Sequence, residues 1–404
     1  MGIAGIIAEY NPFHLGHKFH LEYTKKTTNS HAIIAVVSGN FVQRGEPSLV
    51  NKWHKTMMAL NNGIDLVIEL PLVYSIASAE SFAFGAVSLL DSLGVTDHLC
   101  FGCEIDNMPL LWRISMVLVE EPLEYKNSLH SLLKLGISFA SAREKALEGY
   151  FKLKGEYFNT EELKQILTSS NSILGIEYLK SLIKLKSNII PHIIKRVGSS
   201  YNSSNLSHIS SATAIRKALL QDNKDIQNLK EYLPSSTYNL LSSLPKESLI
   251  FSHYMLPYLK YKAVHKEIVG IPGASEGLEN KIHSNILSCQ DYCEIIEKSK
   301  SKRYTTTRVQ RILCNYFIGS EELANLSYMQ KEPCPYARVL GFNAVGRQLL
   351  SDIKRKSNIP LITKIPKEQD DFLKLDILGT NSYSILDKNL RYNEDYYRSP
   401  LIVE

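Results

Sequence analysis

The chain has 404 residues, 44% of them hydrophobic, which excludes a disordered polypeptide and supplies enough apolar material for two or more packed domains. Its 46 basic and 41 acidic residues leave a formal charge of +5, an excess that permits a polyanionic partner without demanding one. No segment is long and apolar enough to span a bilayer, the opening residues lack a basic leader, and six cysteines are too sparse for a secreted disulfide scaffold, so a reducing, cytoplasmic setting is expected.

Four apolar runs come first along the chain: Ile3 to Ala8, Ala32 to Val37, Asp65 to Leu70 and His98 to Gly102. Helical stretches separate them, the pattern of strands buried on both faces of a parallel α/β sheet. The helices Asn51 to Leu60 and Ser78 to Leu93 carry apolar residues at helical spacing, and each is closed by a glycine, Gly63 or Gly94. A Rossmann-like, doubly wound nucleotide-binding fold follows. Asp65 and Glu69 flank the third strand, as structural carboxylates or as catalytic ones. Cys100 and Cys103 form a CxxC at the fourth, read as two core thiols; the loose Cys289/Cys293 spacing and the lack of a histidine pattern speak against a shared zinc site, and no metal ligands are assigned.

From Leu110 to about Leu185 the pattern is mostly helical. Ile189 to Val197 reads as a further strand running into a Ser/Asn-rich loop, Gly198 to His208, and a helix restarts at Ser211. The α/β rhythm stops around Leu244-Pro245-Lys246. This predicts a nucleotide-binding catalytic domain over residues 1–245 and a second, mainly helical domain over 246–404, the latter holding a late apolar stretch from Tyr336 to Ala344.

The chemistry begins at the end of the first strand, in Ile7-Ala8-Glu9-Tyr10-Asn11-Pro12-Phe13-His14-Leu15-Gly16-His17-Lys18-Phe19-His20, where an HxGH element falls at a strand-to-helix junction. In an open α/β sheet, ligands sit beyond the carboxyl ends of the strands, and a helix N-terminus there offers N–H groups and partial positive charge to phosphate. Gly16 lets a triphosphate approach the backbone. His14 and His17 can share a face and donate to oxygens that gain charge as pyrophosphate departs, and His20 extends that ridge. Helix-capping or zinc-binding histidines are the competing reading, but a helical zinc pair wants i, i+4 spacing with an acidic ligand, absent here.

A second element, Ser210-Ser211-Ala212-Thr213-Ala214-Ile215-Arg216-Lys217, makes Ser211 an N-cap with Thr213 and Arg216 in the first turns. Arg216 can clamp phosphate oxygens bidentately while the hydroxyls of Ser211 and Thr213 complete a cradle. A capped surface helix would look the same; the motif gains its value from the HxGH element.

Together these residues resemble the HIGH-motif nucleotidyltransferase superfamily, although Ala212 stands where serine is common. Ala8 to His17, Ser38-Gly39-Asn40-Phe41-Val42-Gln43-Arg44-Gly45-Glu46-Pro47 and Asp65-Leu66-Val67-Ile68-Glu69-Leu70-Pro71 narrow the resemblance to the bacterial tRNA(Met) cytidine acetate ligases. Ser275-Glu276-Gly277-Leu278-Glu279-Asn280, Lys302-Arg303-Tyr304-Thr305 and Tyr336-Ala337-Arg338-Val339-Leu340-Gly341-Phe342 extend it over nearly the whole chain. The resemblance implies an enzyme that makes acetyl-adenylate from acetate and ATP and passes the acetyl group to N4 of the wobble cytidine of elongator tRNA(Met). It also implies nucleotide contacts from Ile7 to His20 and at Gly102, Asn171 and Arg196. Magnesium is expected because ATP usually arrives with it, and no prosthetic group and no protein partner are expected. The loop Ser38 to Pro47, with Gln43 and Arg44 as polar reach, is long enough for a lid or substrate wall.

Lys298, Lys300, Lys302, Arg303, Arg308 and Arg311 crowd one stretch around Tyr304, a composition that grips phosphate and stacks an unpaired base. A solvated helix face explains the same run; the resemblance favours tRNA. Two other functions remain open on the residues alone. An adenylyltransferase acting on a small phosphorylated metabolite would need the cleft but not the basic stretch, and a non-catalytic RNA-binding protein would keep the nucleotide fold for assembly or signalling, a reading that intact His14, Gly16, His17 and Arg216 argue against.

Overall fold

The computed structural model describes residues 2–156, 158–195, 211–221, 225–301, 303–323 and 325–404. Of what is singled out above, Arg196, Lys302, Ser210, the strand end at Val197 and the loop Gly198 to His208 lie outside the described residues.

Ten strands are present among these: β1 (Gly2–Ala8), β2 (Ser30–Ser38), β3 (Phe41–Val42), β4 (Glu46–Pro47), β5 (Leu66–Leu70), β6 (His98–Cys103), β7 (Ile190–Lys195), β8 (Ala337–Phe342), β9 (Leu361–Ile362) and β10 (Leu401–Ile402). The main sheet runs β10-β8-β5-β2-β1-β6-β7, with β9 also paired to β8, and β3 and β4 form a small separate hairpin. The five strands β5-β2-β1-β6-β7 are mutually parallel, and the order reverses around β1, which places a crevice beyond its carboxyl end. β2 shows why these runs lack alternation. Ala32, Ile34 and Val36 enter one apolar cluster while Ile33, Ala35 and Val37 enter a second on the opposite face.

Helices Leu15–Thr28, Lys52–Leu60 and Ala79–Ser92 connect the early strands. The latter two begin where their caps dictate, since Asn51 Oδ1 accepts the His54 N–H and Ser78 Oγ accepts the Ser81 N–H. The expected helical stretch resolves into five helices, from Met108–Glu120 to Ser170–Leu185.

The C-terminal part is mainly helical over Leu256–His265, Leu278–Ser288, Tyr292–Ser299 and Thr306–Ile318, yet it does not stay apart from the sheet. The late apolar stretch forms β8 and pairs antiparallel with β5, so the sheet takes strands from both sides of position 245. Side-chain chemistry seals the junction. Lys52 Nζ lies 2.9 Å from Glu69 and 2.8 Å from Asp395, and the Arg338 guanidinium reaches the same two carboxylates at 3.3 and 2.7 Å, all four groups buried. Asp65 is equally structural: its carboxylate accepts the Ile33 N–H and the Asn343 amide, both at 2.8 Å. Both strand-five carboxylates thus serve the fold rather than the cleft.

Candidate active site

The chain turns sharply after β1, with Tyr10 at φ 47° and a cis Asn11–Pro12 peptide, and delivers His14 as the N-cap of helix Leu15–Thr28. His14 Nδ1 accepts the Gly16 N–H at 3.0 Å, and His17 Nδ1 accepts the His14 N–H at 3.3 Å, a reciprocal capping box built from two imidazoles. The rings stack with centroids 3.8 Å apart. Since each Nδ1 is an acceptor, the neutral form of each ring carries its proton on Nε2. The capping role and the donor role are therefore compatible, and the first dictates the second.

These rings open onto a cavity of about 220 Å³ beyond the carboxyl ends of β1, β6 and β7. Of the N-terminal segment, Ile7, Ala8, Glu9, Tyr10, Asn11, His14, Gly16, His17, Phe19 and His20 line it. Pro12, Phe13, Leu15 and Lys18 do not: Phe13 is fully buried against the Tyr10 and His17 rings, and Lys18 points to solvent. Gly102, Asn171, Ser211, Thr213 and Arg216 all reach the same cavity, as the two separated motifs require.

The N-terminal turns of two helices, Ser170–Leu185 and Ala212–Gln221, meet at the cavity. At one, Glu104 caps helix Ser170–Leu185: its Oε1 accepts Asn171 Nδ2 at 2.7 Å and its Oε2 accepts the Ser172 N–H and hydroxyl, both at 2.8 Å. Burial alone would raise this carboxyl, but the bonds from Asn171 and Ser172 bring it below its usual value, so it stays ionised. A carboxylate can only accept, which fixes the Asn171 amide with Nδ2 toward Glu104 and leaves Oδ1 as its acceptor. Phe101, Leu174, Tyr178 and Ile194 supply the apolar wall, none of them signalled by the sequence because a pocket-lining apolar residue looks like a core one.

At the other, Ser211 caps helix Ala212–Gln221, its Oγ accepting the Ala214 N–H at 3.2 Å. Arg216 donates from one guanidinium nitrogen to the Asn11 carbonyl at 2.8 Å and from the other to Glu46 at 3.1 Å. Gln43 and Arg44 line the cavity from the β3–β4 hairpin, and the Gln43 N–H donates to Glu9 at 2.9 Å. The sequence marks those two as a wall, whereas Glu46 in the same loop carries no signal that sets it apart from a surface carboxylate.

Cys100 and Cys103 are buried, and burial pushes the Cys100 thiol up to about 12, against a smaller downward pull from Thr24. Cys103 donates to Ser172 Oγ at 3.2 Å. Among the described residues, no group of three His, Cys, Asp or Glu side chains is arranged to hold a metal ion.

The basic stretch lies on helices Tyr292–Ser299 and Thr306–Ile318 and the turn between them. Lys298, Lys300 and Arg303 are exposed and pair with Glu294, Glu297 and Glu276 at 2.7, 2.5 and 2.5 Å. Arg303 and Arg308 flank the Tyr304 ring at 5.7 and 4.8 Å. Arg311 departs from this group. It is largely buried against the β3–β4 hairpin and donates to the Gln43 carbonyl at 3.4 Å, and burial, with Arg308 adding to it, lowers its guanidinium to about 10.

Residues 1–397 match the family model described as HIGH Nucleotidyl Transferase. Over the full length of both chains, the protein is 49% identical to the tRNA(Met) cytidine acetate ligase of Clostridium kluyveri and 48% identical to that of Clostridium acetobutylicum. The chain belongs to the tRNA(Met) cytidine acetate ligase family. Its fold agrees with solved members. The apo crystal structure of Thermotoga maritima TmcAL superposes with a TM-score of 0.92 at 35% identity, covering all of both chains. TmcAL bound with alpha-thio ATP gives 0.88 at 34% identity, covering all of this chain and 99% of that one. Among the ligases, then, the mainly parallel sheet and its helical C-terminal part are shared structure.

Proposed function

We propose that this ligase activates acetate with ATP and transfers the acetyl group to N4 of the wobble cytidine of elongator tRNA(Met). The observation that carries the reading is the convergence, on one crevice at the switch point of the sheet, of two Nε2-protonated imidazoles, a helix N-terminus and Arg216. In the first step an acetate oxygen attacks the α-phosphorus and the bond to the bridging β-oxygen breaks, giving acetyl-adenylate and pyrophosphate. His14, His17, the amides near Gly16, Ser211, Thr213 and Arg216 form a donor set for the triphosphate, and the imidazole donors gain most as pyrophosphate takes up charge. The adenine would lie between Gly102 and the Phe101, Leu174 and Ile194 side chains, with Asn171 Oδ1 oriented to accept from its exocyclic amine.

In the second step the cytosine N4 attacks the acyl carbon, the bond to the phosphate oxygen breaks, AMP leaves and the amine sheds a proton. The adenylate is already activated, so positioning and exclusion of water suffice, and the buried Cys100 and Cys103 have no part as acyl carriers. Magnesium would arrive with the triphosphate, since the described residues present no carboxylate cage for it. Residues up to 245 form the nucleotide site in this reading. The part from 246 onward presents Lys298, Lys300, Arg303, Tyr304 and Arg308 to the tRNA, with Lys302 in the same stretch, so that the cytosine enters the crevice unpaired.

Mass spectrometry of tRNA(Met) after incubation with ATP and isotopically labelled acetate tests the whole sequence: the label should appear on one cytidine. Exchange of labelled pyrophosphate into ATP should depend on acetate. Exchange that ignores acetate but responds to a phosphorylated metabolite would replace this reading with an adenylyltransferase.

A further inference from the structure

Arg216 is the phosphate clamp of the crevice, but its guanidinium is engaged by a carboxylate. Glu46 accepts from Arg216 through Oε2 at 3.1 Å and from Gln310 Nε2 through Oε1 at 3.1 Å, and it is mostly shielded from solvent. Gln310 lies on helix Thr306–Ile318, whose first turn carries Arg308 against Tyr304. One side chain therefore joins the nucleotide crevice to the helix that begins in the basic patch.

The backbone around Glu46 makes that link stiff. Gly45 has φ +77°, and a Cβ there would lie 2.3 Å from the Arg311 nitrogen, so the hairpin rests directly on the helix backbone with no side chain between. On its other side the same segment holds the HxGH loop: Gln43 N–H donates to Glu9, and Leu49 N–H donates to Asn11 Oδ1 at 2.7 Å. A shift of the helix has to be passed on to residues 43–49, because packed backbone does not deform continuously.

Arg216 has partners that compete for it. Two of its five N–H groups go to the Asn11 carbonyl and Glu46, and a triphosphate bound beside them would contend with the Glu46 carboxylate for the same guanidinium, the two anions repelling one another. Such an exchange is the two-state element that coupling between sites needs.

The geometry points to Glu46 as a positioning residue that couples the two substrate sites: through Gln310 it ties the state of the Arg216 clamp to the helix bearing the basic patch, so that tRNA docking changes nucleotide affinity. This rests on the functional reading above, which supplies the roles of Arg216 and of the patch. By linkage, the nucleotide changes tRNA affinity by the same factor.

The test measures the Kd of an ATP analogue with a methylene between the α and β phosphates, with and without saturating elongator tRNA(Met) transcript, in the full chain. The wild type should show about a 5-fold or larger difference between the two conditions. In Gln310→Ala the difference should fall to about 1-fold with the tRNA-free Kd little changed, and in Gln310→Glu, which keeps the side-chain volume but repels Glu46, the difference should likewise fall to about 1-fold. Glu46→Gln removes the competing charge and should tighten tRNA-free binding, a gain that a merely structural role would not produce. Equal nucleotide affinity with and without tRNA in the wild type, or an unchanged difference in both Gln310 variants, overturns the inference. Acetate-dependent pyrophosphate exchange in the absence of tRNA separates the two layers. If it is intact while coupling is absent, only this inference falls; if the wild type lacks it, the functional reading falls and the inference with it.

Discussion

His14 has a structural duty and a proposed chemical one, which one substitution can separate. Its Nδ1 caps helix Leu15–Thr28 through the Gly16 N–H, and its ring lines the crevice, where the proposed role needs Nε2 as a donor. His14→Asn keeps an N-cap of the best class but shortens the side chain and removes the ring donor. Thermal melting should stay near the wild type while acetate-dependent pyrophosphate exchange falls by about 10²–10³, the usual loss for one donor to developing charge. Full exchange activity would remove His14 from the chemistry. Lys55 shows a different economy. It is fully buried and donates to the Glu9 and Ser38 carbonyls at 3.0 and 2.6 Å, tying the ends of β1 and β2 together beneath the HxGH loop. Burial lowers its pKa to about 7, against an upward pull from Glu9 and Glu69. A neutral amine still has two N–H groups for two carbonyls, so losing the proton keeps both bonds. Below about pH 7 the lysine is protonated in folded and unfolded chains alike. Between there and the unfolded value of 10.5 the unfolded chain binds the extra proton, so stability rises with pH. Urea midpoints across pH 6.5 to 9.5 should show an upward component that Lys55→Met lacks; parallel profiles would mean that Lys55 stays charged.

At the level of elements, β8 depends on charge as much as on its apolar residues. Arg338 bridges Glu69 of β5 and Asp395 beyond helix Asp371–Leu386, and with Lys52 it draws the Asp395 carboxyl down although burial alone would raise it. Arg338→Met removes one of two cations facing two buried carboxylates and should cost about 3–5 kcal/mol of unfolding free energy by chemical denaturation. A loss under about 1 kcal/mol would mean that Lys52 alone satisfies the pair. The same strand shows where the sequence falls short. The runs that form β1, β2, β5 and β6 are legible because burial on both faces writes an unbroken apolar word, and Asn51 and Ser78 mark helix starts through local hydrogen bonds. Tyr336 to Ala344 carries an equally apolar word, but its partner β5 lies far back in the chain and no local signal names it. The site divides along the same line. The HxGH loop and Arg216 are readable because two histidines around a glycine at a strand end, followed later by an arginine in the first turns of a capped helix, form a local pattern that capping alone does not require, whereas Phe82 and Tyr178 line the cavity with nothing to set them apart from core. Composition alone groups Arg311 with the basic run, because the hairpin that covers it comes from the other end of the chain.

Across the whole molecule the crevice and the basic patch are built from different parts of the chain, so pyrophosphate exchange measured without RNA and RNA affinity measured without nucleotide should respond to different variables. The acidic partners of Lys298, Lys300 and Arg303 do not disqualify the patch: exposed ion pairs of this kind contribute little and are readily exchanged for phosphate contacts. Arg303 and Arg308, set against the Tyr304 ring, offer two cations beside a stacking surface. Deleting one cation that neutralises a phosphate should make the log–log salt dependence of tRNA binding shallower by about 1, so Arg303→Ala with Arg308→Ala should weaken binding most at low salt and flatten the slope by about 2. Filter binding of elongator tRNA(Met) across about 50 to 300 mM salt checks this, with pyrophosphate exchange measured without RNA as the companion. A weaker complex with an unchanged slope would point to impaired stacking at Tyr304 rather than to phosphate. Unchanged affinity would move the RNA surface away from this helix altogether, since mobile counterions already satisfy any cation that meets no phosphate.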